Sequence, residues 1–111
     1  MNQLSVRPTE GSTFIITADF KDADGTGFVP TTCFWTLSDG KGTVLNGRLR
    51  VPVVPTSSVH TFVLSGEDLR FDVGATKGSR IFTVDATYDS VYGNDLPFRA
   101  EVGFTVLNTA V

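Results

Sequence analysis

Three groups of residues have types and spacings that could support chemistry. The first is "KDADGTG", Lys21–Gly27, which reads like the start of a calcium loop. An EF-hand loop needs oxygen ligands at positions 1, 3 and 5, glycine at 6 and a bidentate glutamate at 12. Counted from Asp22, Asp24 and Thr26 fall at positions 3 and 5 and Gly27 at 6, but position 12 is Cys33. A thiol cannot replace that carboxylate, and the chain downstream alternates as a strand rather than continuing as a helix. The stretch is therefore expected to be a turn, with Gly25 supplying a positive φ and Gly27 a second bend. Asp22 and Asp24 need no cation in that reading. The second group is Cys33 and His60, the only cysteine and the only histidine. Nucleophilic or acid–base catalysis needs a titratable partner beside the reacting group. Both residues lie inside strand patterns, where Cys33 reads as a small buried hydrophobe and His60 as a strand residue. No GxSxG elbow, P-loop, HExxH or paired CxxC occurs. The expectation is a non-enzyme with no catalytic residue, metal or cofactor.

The third group is aromatic and apolar residues placed in loops, and the elements around them decide what they do. Period-two alternation dominates the chain, the signature of half-buried strands. "TFIITADFK" sets Phe14, Ile16, Ala18 and Phe20 on one face, and "TTCFWTLSDG" does the same with Cys33, Trp35 and Leu37. "SRIFTVDATYDS" aligns Phe82, Val84, Ala86 and Tyr88, and "FRAEVGFTVLN" aligns Val102, Phe104 and Val106. "SSVHTFVLSG" is β-branched and aromatic, and "NQLSVRP" supplies an opening strand, with Met1 expected to be pinned in a sheet or an interface. Asn46-Gly47 is the strongest short hairpin signal. The segment after it carries Pro52 and Pro55 and belongs on a sheet edge. In "SGEDL", Ser65 precedes Asp68 by three residues, the spacing of a capping box on a single helical turn, with Leu69 directed into the core.

Seven to eight short strands with evenly spaced turns imply an all-β, two-layer antiparallel sandwich covering residues 1–111 as a single domain. A tryptophan on the third strand suits an immunoglobulin-like arrangement, with Trp35 filling the centre and Ala18 and Ala86 where antibody domains carry bridging cysteines. The expected core is built on Phe20, Trp35, Leu69, Phe82 and Phe104. In such a sandwich the loops "DADGTGFVPT" and "DSVYGNDLPF" share one end and bring Phe28, Val29, Tyr92, Asn94, Leu96 and Phe98 together. Phe28 and Phe98 are expected to cap the core, and Tyr92 to be exposed as a docking residue.

Composition narrows the function classes. Hydrophobic residues make up 41% and charged residues 19%, a globular balance. A net charge of -3 argues against a general nucleic-acid binder, which needs a basic face. A lone cysteine excludes an internal disulfide framework and a cysteine-rich zinc module. The start lacks the apolar run of a signal peptide, and no stretch approaches the ~20 apolar residues of a membrane span.

The run "FKDADGTGFVPTTCFWTLSDGKGTVLNG", then "SSVHTFVLSGEDL" and "FTVDATYDSVYGNDLPFRAEVGFTV", covers most of the chain. It resembles small immunoglobulin-like proteins encoded among the structural genes of tailed bacteriophages. The resemblance rests on Phe20, Asp22, Asp24-Gly25, Pro30 and Trp35, followed by "LSGEDL" and the closing hairpin. Bacterial immunoglobulin-like repeats share the first half of that pattern. The resemblance implies a non-catalytic virion component, a capsid decoration or a neck or tail accessory protein, assembled in the bacterial cytoplasm. Its partners would be major capsid or tail proteins in many symmetric copies, with weak host-surface contact and neither nucleic acid nor membrane as partner. The alternatives are a carbohydrate- or receptor-binding module on the particle surface and a cytosolic regulator.

Overall fold

The computed structural model describes residues 2–3, 8, 11–69 and 77–107. Among them are seven strands: β1 (Asn2–Gln3), β2 (Thr13–Asp19), β3 (Thr32–Asp39), β4 (Val51–Val53), β5 (Val59–Ser65), β6 (Lys77–Ser90) and β7 (Gly93–Leu107). One 3-10 turn, Gly66–Leu69, follows β5. The strands form two sheets, one ordered β1-β7-β6-β3-β4 and the other β2-β5. All pairings are antiparallel except β1 with β7, which is parallel. Of the expected opening strand, Asn2 and Gln3 pair with Val102 and Gly103, while Met1 and residues 4–7 lie outside the described residues.

The alternation places the core where its periodicity requires. Phe14, Ile16, Cys33, Trp35, Leu37, Phe82, Val84, Ala86, Phe104 and Val106 are buried between the sheets, with Ala18 and Val102 packed against them. Phe20 and Leu69 are fully buried. Ala18 and Ala86 stand on opposite sheets. Trp35 is buried in this core, and the Phe82 ring lies 5.5 Å from it in the same sheet and 5.1 Å from Phe62 in the other. The Arg48 guanidinium covers the Trp35 ring at 5.5 Å.

Asn46-Gly47 departs from its expected role. Both residues take left-handed φ, 52° and 65°, and the Arg48 N–H donates to the Leu45 carbonyl at 3.0 Å. The turn is therefore tight, but it does not join β3 to β4. The hairpin reverses earlier, at Asp39–Thr43, and Leu37 bonds both Leu45 and Arg48 across the loop-out. The Asn-Gly pair is a kink inside the returning chain, and it aims Asn46 and Arg48 at the other sheet.

What they meet is Asp68, only 1% exposed. Its Oδ1 accepts from Arg48 Nε at 2.8 Å and from Asn46 Nδ2 at 2.9 Å, and its Oδ2 accepts from the Ser65 backbone N–H at 3.1 Å. The Ser65 bond is half of the expected capping box. Burial pushes this carboxyl up, but the hydrogen bonds from Arg48, Asn46 and Ser65 outweigh burial and hold it below the usual carboxylate range. Because the folded value is depressed, the stability it confers is full above the unfolded value near 4. It is lost as pH falls from there through the folded value. Asp68→Asn is expected to destabilise the fold by about 2–4 kcal/mol, below the usual range for a broken buried pair because Arg48 is partly exposed. It should also flatten the loss of thermal stability between about pH 5 and pH 3, checked by melting at stepped pH. Trp35→Ala is expected to cost about 3–5 kcal/mol, read as a shift of the urea midpoint.

Candidate interaction end

Two loops with one construction frame this end and the opposite one. In Asp22–Thr26, the Asp22 Oδ1 accepts from the N–H groups of Asp24 at 2.9 Å and Thr26 at 3.0 Å. In Asp39–Thr43, the Asp39 Oδ1 accepts from Lys41 at 2.8 Å and Thr43 at 3.0 Å. The fourth residue is glycine in both, Gly25 at φ 81° and Gly42 at 89°, and its N–H donates to the aspartate carbonyl. The shared D-x-x-G-T spacing is a turn signature that composition alone does not show. The backbone bonds from Thr43 and Lys41 hold the Asp39 carboxyl below its ordinary range. The Asp22 carboxylate is occupied by the chain's own donors, as the turn reading requires. Among the described residues no cluster of three or more His, Cys, Asp or Glu has metal-site geometry.

Gly27 is not a second bend. It sits in a bridge opposite Lys21, and a Cβ there would meet the Ser58 side chain at 3.1 Å. Its glycine permits close approach of the β4–β5 connection, where the Phe20 N–H donates to the Ser58 carbonyl at 2.7 Å. The loops 20–31, 54–58 and 89–95 therefore gather at one end of the molecule.

The interior of that end is an aromatic plug. Phe28 stacks on Tyr88 at 4.1 Å and 20°, and meets Phe20 at 5.7 Å and Phe98 at 5.5 Å. Phe28, Phe98 and Leu96 are half-buried and close the core. Outside the plug stand Val29, Asn94 and Tyr92, all exposed. The Tyr92 hydroxyl donates to Asp24 Oδ2 at 3.0 Å, which ties the β6–β7 tip to the Asp22 turn. The two candidate loops thus meet, and Asp24 serves as the acceptor of that tie.

Sequence reasoning missed two neighbours. Ser90 pairs with Gly93, so the hairpin tip is Val91-Tyr92, and "GND" belongs to β7. Val91 is 94% exposed and Tyr92 68%, while Val54, between Pro52 and Pro55, is 86% exposed. Tips of this length favour asparagine and glycine. A valine and a tyrosine there break a local rule, and the run "DSVYGN" carries that signal.

The outer face of the five-stranded sheet holds a second feature, a trough of about 450 Å³ floored by Thr36, Ser38 and Thr83. Its rim carries Arg50 and Arg99, 3.8 and 3.3 Å from the Asp85 carboxylate, and Glu101, 3.1 Å from Arg99. Cys33 and His60 stand on strands of different sheets, β3 and β5. Burial and the nearby Asp85 charge push the Cys33 thiol up to about 11. The His60 ring packs edge-on against Phe62 at 4.8 Å.

No protein-family model, curated protein or solved structure matches this chain. Calorimetric titration with calcium is expected to give no binding heat in the micromolar range. Asp22→Ala should cost about 1–2 kcal/mol with or without calcium, as a lost turn rather than a lost metal site.

Proposed function

We propose that the chain is a non-catalytic, immunoglobulin-like binding module that serves as a structural component of a tailed phage particle. In this reading it is a capsid decoration or another accessory virion protein. One observation carries the docking part of this reading: Val91 and Tyr92 occupy a hairpin tip where turn residues are the rule, and both are exposed. Large apolar side chains held out on braced loops suit a contact that desolvates them. The Tyr92–Asp24 bond restrains the tip before docking, which lowers the ordering cost of association. Val29 and Val54, on two further loops, are also exposed.

The strand order supports the immunoglobulin-like part. β2 and β5 share one layer, and β7, β6, β3 and β4 share the other, with Trp35 on the third strand and β1 parallel to β7. The particle assignment rests on the sequence resemblance to phage immunoglobulin-like proteins. Its partners would be capsid or tail proteins in many symmetric copies, met in the bacterial cytoplasm during assembly. Repetition would turn a small contact of this size into lasting attachment.

A carbohydrate- or receptor-binding module is the second reading, favoured by the trough with its hydroxyl floor and paired Arg and carboxylate rim. A glycan array with the isolated chain separates the two, since the docking reading expects no bound glycan.

Mass spectrometry of purified particles is expected to find the chain at a fixed stoichiometry, high for a decoration and low for a neck or tail part. Its absence from particles would overturn the assignment. Val91→Ser combined with Tyr92→Ser should leave the melting temperature within a few degrees and weaken particle attachment about tenfold or more. Undiminished attachment would move the docking surface elsewhere.

A further inference from the structure

The edges of the two sheets are treated differently. β4 is three residues long and contains Pro52. Thr31 donates to the Thr87 carbonyl, so Thr87 turns its backbone groups towards β3. Its partner Pro97 then turns its nitrogen to the outer edge of β7, where no N–H is offered. Further along, β1 covers β7 at Val102 and Gly103. On the outer edge of β5, the Val59 N–H and carbonyl are both bonded by Ser57 Oγ, and the Ser65 N–H is taken by Asp68.

Among the described residues, the outer edge of β2 has no such device at any position. Gly66 donates to the Ser12 carbonyl at one end of the β2–β5 ladder, and Phe20 donates to the Ser58 carbonyl at the other. Even-numbered residues of β2 therefore face β5. Thr13, Ile15, Thr17 and Asp19 direct their N–H and carbonyl groups outwards. That edge is seven residues long, holds no proline or lysine, and carries its single charge at one end. Natural edges of this length are normally guarded. Beside it the sandwich is open, with an apolar cavity of about 140 Å³ between Ile16 and Ala18 on β2 and Phe98 and Ala100 on β7.

We propose that the β2 edge is a self-association site, at which two copies of this chain pair β2 antiparallel about a two-fold axis centred on Ile16. The occupant follows from the strand's self-complementarity. In this register Ile15 lies opposite Thr17 of the second copy and Thr13 opposite Asp19, so all four outward residues exchange both bonds. No like charges meet, and the aspartate of each copy faces an uncharged threonine. On the inner side Phe14 of one copy stands opposite Ala18 of the other, a large side chain beside the small one that borders the cavity. The face continued by the new four-stranded sheet is β-branched, with Ile15 and Val63 58% and 55% exposed. The contact is isologous and closes on itself, so it yields dimers and not filaments. It lies on β2, away from the Val91-Tyr92 tip, and stands whether or not that tip docks.

Sedimentation of the full chain from about 10 μM to about 1 mM, the range of small interfaces, is expected to show the mass rising from monomer to dimer. The amides of Ile15 and Thr17 should exchange more slowly as dimer forms. Thr17→Pro removes an outward N–H at an edge position and should weaken the dimer about tenfold or more in a chain whose monomer still melts cooperatively. Thr13 supplies a pair of tests that fold equally well at an exposed site. Thr13→Lys, opposite Asp19 of the second copy, should tighten the dimer, and Thr13→Asp should loosen it. A chain that stays monomeric at about 1 mM overturns the proposal. So does a dimer indifferent to all three substitutions.

Discussion

The arrangement depends on one buried carboxylate. Asp68 is the point where the two sheets are joined by polar contacts rather than by apolar packing. It takes hydrogen bonds from Asn46 and Arg48 on the β3–β4 connection and from Ser65 at the end of β5. Its own carbonyl lies 3.5 Å from Arg80 Nε on β6. An ion pair of this kind contributes little against a hydrophobic substitute, but breaking one partner leaves a charge without solvent. The consequence is registry. The kink at Asn46-Gly47, the left-handed glycine that opens the 3-10 turn and the lid of Arg48 over Trp35 all serve to bring donors to one point.

The two ends of the sandwich are closed by different physics. One is polar, clasped by Asp68. The other is aromatic, plugged by Phe20, Phe28, Tyr88 and Phe98 and braced by two aspartate-centred contacts, the Asp22 turn and the Tyr92–Asp24 bond. With a single cysteine, no disulfide joins the two layers within the chain. The polar end is a matter of folding. The aromatic end leaves surplus apolar surface outside the plug, which folding does not require.

Much of this was legible in the residues. Burial follows the period-two pattern in β2 and through most of β3 because each has one face in the core, while in β6 the outward Thr83 is buried as well. The turn at Asp22 was legible because position 12 of a calcium loop cannot be cysteine. What was not legible shares a cause: it depends on which residues meet across the sheets. Asn46-Gly47 has hairpin chemistry, but Asp39–Thr43 reverses the chain first and leaves it a kink. Gly27 reads as a bend, yet its reason is Ser58, 31 positions later in the sequence. Asp68 reads as a cap, and its larger role needs Arg48. At the candidate interaction end, Tyr92 was placed by loop pairing. Val91 and Val54 escaped because a valine in isolation carries no directional signal.

The buried thiol of Cys33 has a consequence for chemistry over time. With its ionisation pushed up to about 11 by burial and the Asp85 charge, the thiol stays protonated at neutral pH, and the sulfur is buried in the core. Disulfide exchange and sulfenic acid formation both begin with an accessible thiolate. A chain carried from a reducing compartment into air and oxidants would therefore age without cross-linking to its neighbours, however densely they were crowded together.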